Sequence, residues 1–350
     1  MTQTDAPVRH SRRGIIIPFA IVAVLLAIWT VWWFVLARQV ETRLEAQAQA
    51  MRDGGWTVTH EGASTTGWPF RTRVALNDAV IAAPSGHGVA APALIAQANA
   101  WNPDLWVVIA PDGLTLARPD KGEVAIGGRL RLSASRLRAR FPDLRLQLIA
   151  PTFAARPGAE AFPIASAELI ELYARPHLTD GAATTDRMDV LFRLMDARGR
   201  PGGPVEGASG QGRLTAEVEA TLDRASRLSG ADTVGMLSNW SEAGGRFIAV
   251  KGQLSAGESR ARIASDALSA RADGRLEGQI ALTAERPMQA IAGLAQSRSG
   301  AVNRMGAAGA AAAAAAAGAQ GERPVDLTIV FRDGRTWLGP FALSPAPKLF

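Results

Sequence analysis

Two hydrophobic periods divide this chain. The first is a continuous run: Gly14 to Ala37 (GIIIPFAIVAVLLAIWTVWWFVLA) is 24 residues without a charge. At 1.5 Å per residue that helix would measure about 36 Å, enough to cross a hydrocarbon core of about 30 Å with some tilt. Pro18 falls near its start, where a helix tolerates proline. Trp29, Trp32 and Trp33 crowd its C-terminal end, as an interfacial aromatic belt does. The run is too long for a cleaved secretory signal, and the nearest Ala-x-Ala pattern, Ala46 to Ala48, comes well after it. Residues 38–55 then predict a helical stalk. Val40, Leu44, Ala48 and Met51 share one face, and Gly54-Gly55 supplies the stop.

From Trp56 onward the period becomes two. Leu130 and Leu132 alternate with arginines, as do Leu137, Ala139 and Phe141, and then Leu144, Leu146 and Leu148. Leu214 to Leu222, Leu276 to Leu282 and Val325 to Phe331 repeat the pattern. Such alternation predicts antiparallel strands with one apolar and one wet face. Leu130, Leu132, Leu144, Leu146, Leu148, Leu214, Val218, Leu276, Ile280, Leu327 and Ile329 are the expected inward positions. Turn signals stand at Asp112-Gly113, Gly127-Gly128, Pro142-Asp143, Asp273-Gly274 and Asp333-Gly334. The first and last of these read as hairpins, joining 106–109 to 114–117 and 327–331 to 336–338.

Helices are few. Residues 231–243 and 287–296 carry a helical pattern, the second opening on proline. The alanine-rich stretch at 301–321 reads equally as a helix or as a linker insertion. Residues 198–212 (RGRPGGPVEGASGQG) read as an exposed loop or linker between two β-rich subdomains, 56–197 and 213–350. The fold expected is therefore mainly β: a transmembrane helix, then a large twisted antiparallel sheet or pair of sheets with a few covering helices. Either two sheets close on each other, or one curves into an apolar trough.

Composition narrows the chemistry more than it names it. Cysteine is absent, which removes disulfides, thiolate metal sites and cysteine nucleophiles. The net charge of +6 falls to about +3 once Arg9, Arg12, Arg13, Arg38 and Asp5 around the apolar run are set aside, too little for a nucleic-acid footprint. Arg129, Arg131, Arg136, Arg138, Arg140 and Arg145 would share one face of adjacent strands, read as a solvated face balanced by acids, with anionic head groups as the other reading. The four histidines have no partner at helical spacing, and no phosphate loop, nucleophile elbow or dinucleotide fingerprint occurs. No catalytic residue, metal or cofactor is expected. Six tryptophans lie outside the apolar run, and most are expected in the core, the rest at a hydrophobic mouth. Trp68, Pro69, Phe70, Trp101, Trp106 and Trp337 are the aromatic-motif candidates, with Leu130, Leu144 and Leu146 as groove positions.

At Gly67-Trp68-Pro69-Phe70-Arg71, at Trp106 to Leu114, and at Asp333-Gly334-Arg335 with Leu338-Gly339-Pro340, the chain resembles the bacterial family called domain of unknown function 2125. That resemblance implies a single-pass bacterial inner-membrane protein with a β-rich periplasmic domain, and it brings no catalytic residues. Three arginines flank the apolar run on each side, and the short tail with one acid sets the N-terminus in the cytoplasm. More remotely, the layout is similar to AsmA-like envelope proteins, which implies an apolar groove associated with lipid. The expected function is thus an anchored periplasmic module holding lipid or another apolar ligand, with membrane lipid as its partner. The alternative is an envelope scaffold with a closed core that recruits proteins, and the third reading is an envelope hydrolase.

Overall fold

In the computed structural model, residues 13–230, 232–316 and 324–350 are described. The N-terminal tail and the end of the alanine tract, Ala317 to Gln320, lie outside them. Helix α1 (Arg13–Asp53) joins the apolar run and the stalk without a break. Its stretch from Ile16 is long and apolar enough to cross a membrane.

The rest is one 17-stranded sheet in which every paired neighbour is antiparallel. β1 (Thr57–Thr66), β2 (Arg71–Ala82) and β3 (Gly88–Asn99) start a meander. β4 (Asn102–Ala110) and β5 (Leu114–Ala117) both lie between β3 and β6 (Val124–Ser135), and β7 (Asp143–Ala155) follows. β8 (Ile164–Ser166) and β9 (Leu169–Thr179) then lie between β7 and β10 (Ala182–Gly199). After α2 (Pro204–Ser209) comes β11 (Leu214–Asp223), and after α3 (Thr233–Glu242) come β12 (Phe247–Ala256), β13 (Ser259–Ala270) and β14 (Leu276–Glu285). Helices α4 (Pro287–Gln296) and α5 (Arg304–Ala316) precede the last strands, β15 (Val325–Arg332), β16 (Arg335–Leu338) and β17 (Phe341–Pro345).

Four local expectations change. Asp112-Gly113 makes no hairpin: β4 and β5 are collinear, each paired with β3 and β6 and not with the other. Pro111 cannot donate to a ladder, and Gly113 (φ +77°) passes so close to β6 that a Cβ would stand 2.3 Å from the Ile126 carbonyl oxygen. Gly127-Gly128 is a bulge inside β6, facing a second one at Ala150 in β7. The alternating run 136–142 is a turn, so Arg136, Arg138 and Arg140 leave the strand face. Residues 198–212 end β10 and loop around α2 without separating subdomains, because β10 pairs directly with β11 and the sheet runs through from one half to the other. Asp333-Gly334 does form the two-residue hairpin, both residues at positive φ.

Packed core collects where helices cover the sheet. Leu194, Ala197 and Ala216 are buried with Val205 of α2 against them. Ile291 of α4 and Ala310 and Ala314 of α5 are buried with Leu338, Phe341 and Leu343. Residues 304–316 of the alanine tract therefore form a covering helix, and Gly306 and Gly309 let it lie close on β17. Trp240 of α3 is fully buried, gives its indole N–H to the Asp223 carbonyl (2.7 Å) and stands edge-on to Phe247. It is the one buried tryptophan of the six outside the apolar run; Trp68 and Trp101 are exposed, and Trp56, Trp106 and Trp337 are half-buried.

The sheet coils. Asp232 caps α3 by accepting the Gly235 N–H (2.8 Å), and its carboxyl is held below the usual range first by that bond, then by the Ser85 hydroxyl and by His87. Ser85 and His87 sit in the β2–β3 turn, seven strand steps from β11 and at the opposite strand end. Seven steps span about 34 Å in a flat sheet, more than α3 can bridge with its roughly 15 Å length. A right-handed twist of about 20–25° per step accumulates to about 140–175° and turns the strand ends over without shortening that span, so the sheet must also curve for the two to meet.

Candidate functional site: the apolar face of the sheet

Register pairs set one apolar side chain beside the next across the sheet. Val74 stands opposite Ala96, Ala96 opposite Val108, Val108 opposite Leu132, Leu132 opposite Leu146 and Leu146 opposite Leu172. The row continues through Phe192, Val218, Gly252, Ile263, Leu282 and Leu327. A second row runs from Leu130 through Leu148, Ile170, Leu194, Ala216 and Leu254. Alternation marks Leu130, Leu132, Leu146, Leu148, Val218 and Leu327 among these as inward; pairing adds the others and makes the face continuous from β2 to β15.

Most of this face is not packed away. None of the eleven expected inward positions is buried: Leu144 is exposed and the other ten are half-buried. The largest bare side chains lie in mid-sheet on β7, β9 and β10, where Leu144, Leu172 (46% exposed) and Phe192 (40%) follow one another. Trp106 belongs to the same face, opposite Ala98 and Ala134, and is half-buried with its N–H on the Pro103 carbonyl. Trp337 does not belong: it stands opposite Val330 while its neighbours Thr336 and Leu338 face the apolar side, and Arg332 stacks over its ring. Trp68, Pro69, Phe70 and Trp101 form the tip of the domain, in the β1–β2 and β3–β4 turns. At that tip Trp29 and Trp33 of α1 donate to the carbonyls of Pro69 (2.9 Å) and Arg71 (2.8 Å), while Trp32 stays exposed beside Trp29. Gly67 (φ +108°) is needed in the turn, since a Cβ would lie 2.6 Å from the Arg71 carbonyl oxygen.

The opposite face carries ion pairs instead. The Glu171 carboxylate on β9, almost fully buried, takes Arg145 of β7 and Arg193 of β10 (3.0 Å), and Arg193 also reaches Glu217 of β11 (2.7 Å). Charge-assisted bonds of this kind span four adjacent strands. Of the six arginines expected on one face, Arg145 stays on it and pairs with the buried Glu171, while Arg136 pairs with Asp143 from the turn. A cavity of about 770 Å³ opens on this side beside Arg193, Glu217, Arg260 and Arg262. Further along, His177 Nδ1 lies 2.7 Å from Asp189, which also accepts the Thr221 hydroxyl (2.9 Å). Sequence reading missed both clusters, because their members come from strands whose pairing no local signal reveals. No group of three His, Asp or Glu side chains suited to a metal occurs among the described residues.

A long apolar N-terminal helix leading into a single large antiparallel sheet, one face apolar and one charged, defines the class of protein. The chain belongs to the family described as an uncharacterized protein conserved in bacteria, DUF2125, which it matches over residues 33–347. No curated protein and no solved structure matches it, so the remoter likeness to AsmA-like proteins rests on layout alone.

Proposed function

We propose that this protein is a single-pass module of the bacterial inner membrane, its sheet domain periplasmic, that holds lipid or another apolar ligand along the apolar face and does so without catalysis. The observation that carries the reading is the exposure of that face in mid-sheet: Leu144, the one exposed position of the eleven, is joined there by Leu172 and Phe192, which are bare on the same face. Exposed apolar surface of such extent in a folded domain marks a binding surface. The charged ladder on the other side gives water a face of its own, and α1 brings the sheet to the bilayer that would supply an apolar ligand.

The test is lipid analysis of the full-length protein after detergent extraction, for the wild type and for Leu172→Asp and Phe192→Asp. The expected result is copurifying lipid on the wild type and its loss from both variants with the fold retained, because a charge in an open trough meets water whereas one in a packed core does not. A lipid-free wild type together with unfolded variants would sink this reading and leave the closed-core scaffold.

A further inference from the structure

We propose that the tip of the sheet domain is a second membrane-contact site, with Trp68, Phe70 and Trp101 seated in the interfacial layer of the bilayer that α1 crosses. The inference rests on α1 being the anchor and extends it to the domain. Three observations carry it. The tip is fixed in height by hydrogen bonds to the helix, Trp29 and Trp33 donating to the Pro69 and Arg71 carbonyls and Trp68 donating to the Thr30 hydroxyl (3.3 Å).

That height lies within the apolar run, not above it. Every residue from Ile16 to Ile28 is exposed, and the domain begins to cover α1 at Trp29, several residues before the run ends at Ala37. Gly14 to Ile28 measures only about 22 Å at 1.5 Å per residue, whereas the hydrocarbon core is about 30 Å thick and needs about 20 residues. The helix fills that thickness only if residues to about Trp33 enter the membrane, and the tip goes in with them. Its side chains suit that layer: Trp68 is 47% exposed, Phe70 63% and Trp101 60%, with Phe70 and Trp101 in edge contact at 6.3 Å. Tryptophan with one apolar and one polar side is the residue that bilayer interfaces collect.

The absence of cysteine makes the test direct. A nitroxide is attached at Phe70→Cys or Trp101→Cys in the full-length protein, reconstituted in phospholipid nanodiscs with no other protein present. Collision with oxygen and with a water-soluble nickel chelate is then measured. Val24→Cys marks the span and Asp120→Cys, in the exposed β5–β6 turn, marks water. The proposal expects both tip positions to be several-fold less accessible to nickel than position 120 and to favour oxygen. Nickel access at 70 and 101 equal to that at 120, with 24 still protected, would overturn the tip and leave the anchor standing; this is also the outcome if a protein partner covers these side chains. Nickel access at 24 as well would overturn both. Both tip residues are mostly exposed, so their replacement removes little packing, and each position checks the other.

Discussion

Leucine-to-alanine truncation at two positions of the same sheet face distinguishes an open surface from a closed core. Leu222 on β11 is 6% exposed and packed in the covered part of the sheet; Leu172 on β9 is 46% exposed. At Leu222 the truncation loses buried carbon and leaves a cavity, a cost of about 2–5 kcal/mol. At Leu172 roughly half of the removed surface is already wet, and no enclosed void is created. Three carbons at about 0.8 kcal/mol per fully buried methylene, halved, give about 1 kcal/mol. Urea unfolding of the detergent-solubilised full-length chain, followed by tryptophan fluorescence, should therefore move the midpoint clearly further for Leu222→Ala than for Leu172→Ala. Aspartate widens the gap: Leu222→Asp should fail to fold, while Leu172→Asp retains the native spectrum. Equal losses at the two positions would refute the open-face argument, since they would mean that Leu172 is packed against something that buries it.

Helix α5 gives a second test: deleting Ala310 to Ala316, or placing a charge by Ala310→Asp, should lower the thermal midpoint by several degrees by uncovering Phe341 and Leu343, and an unchanged midpoint would return the tract to a surface excursion. Glu171→Gln should cost about 1.5–3 kcal/mol, towards the lower end because Arg193 keeps Glu217, and should be measured against Arg193→Gln in a double-mutant cycle. Asp232→Ala should cost about 1 kcal/mol through the lost cap of α3. Since the folded protein holds this carboxyl below its ordinary value, its stabilisation is full above the unfolded pKa and is lost as pH falls through the folded one, so the variant should show a shallower acid limb in a stability-against-pH curve.

The periodicities were legible, and so were most elements built from them. The unbroken run is α1, the residues 287–296 are α4, and the alternating leucines share one sheet face. What escaped depends on partners far away in sequence. Asp-Gly reads as a hairpin at 112–113 and at 333–334 alike, yet only at the second do the flanking strands pair; at the first, β3 and β6 hold both pieces in one line. Arg and Leu alternate in 136–142 as regularly as in β7, but that segment turns a corner and Arg136 pairs with Asp143 at its far end. Alanine propensity favours a helix at 304–316 without saying that β17 waits beneath it. The Arg145–Glu171–Arg193–Glu217 ladder needs four strands in one register, and no single stretch contains that.

Stability in this sheet is divided in a way that explains how one face stays bare. Backbone ladders hold any antiparallel meander, but register over so many strands needs side-chain contacts, because a one-residue slip reverses the two faces. On β7 to β11 those contacts lie on the charged side, where Glu171 locks Arg145 and Arg193 and Arg193 locks Glu217. The same strands carry Leu144, Leu172 and Phe192, exposed on the other side. Packed apolar clusters lie beside that bare stretch: under α2, where Leu194 and Ala216 of the same strands are buried, under α4 and α5, and around Phe247 and Phe331. Fixing the central strands from their charged face relieves the bare stretch of their apolar face, around Leu144, Leu172 and Phe192, of most structural duty, so substitution there should disturb what the face binds before it disturbs the fold.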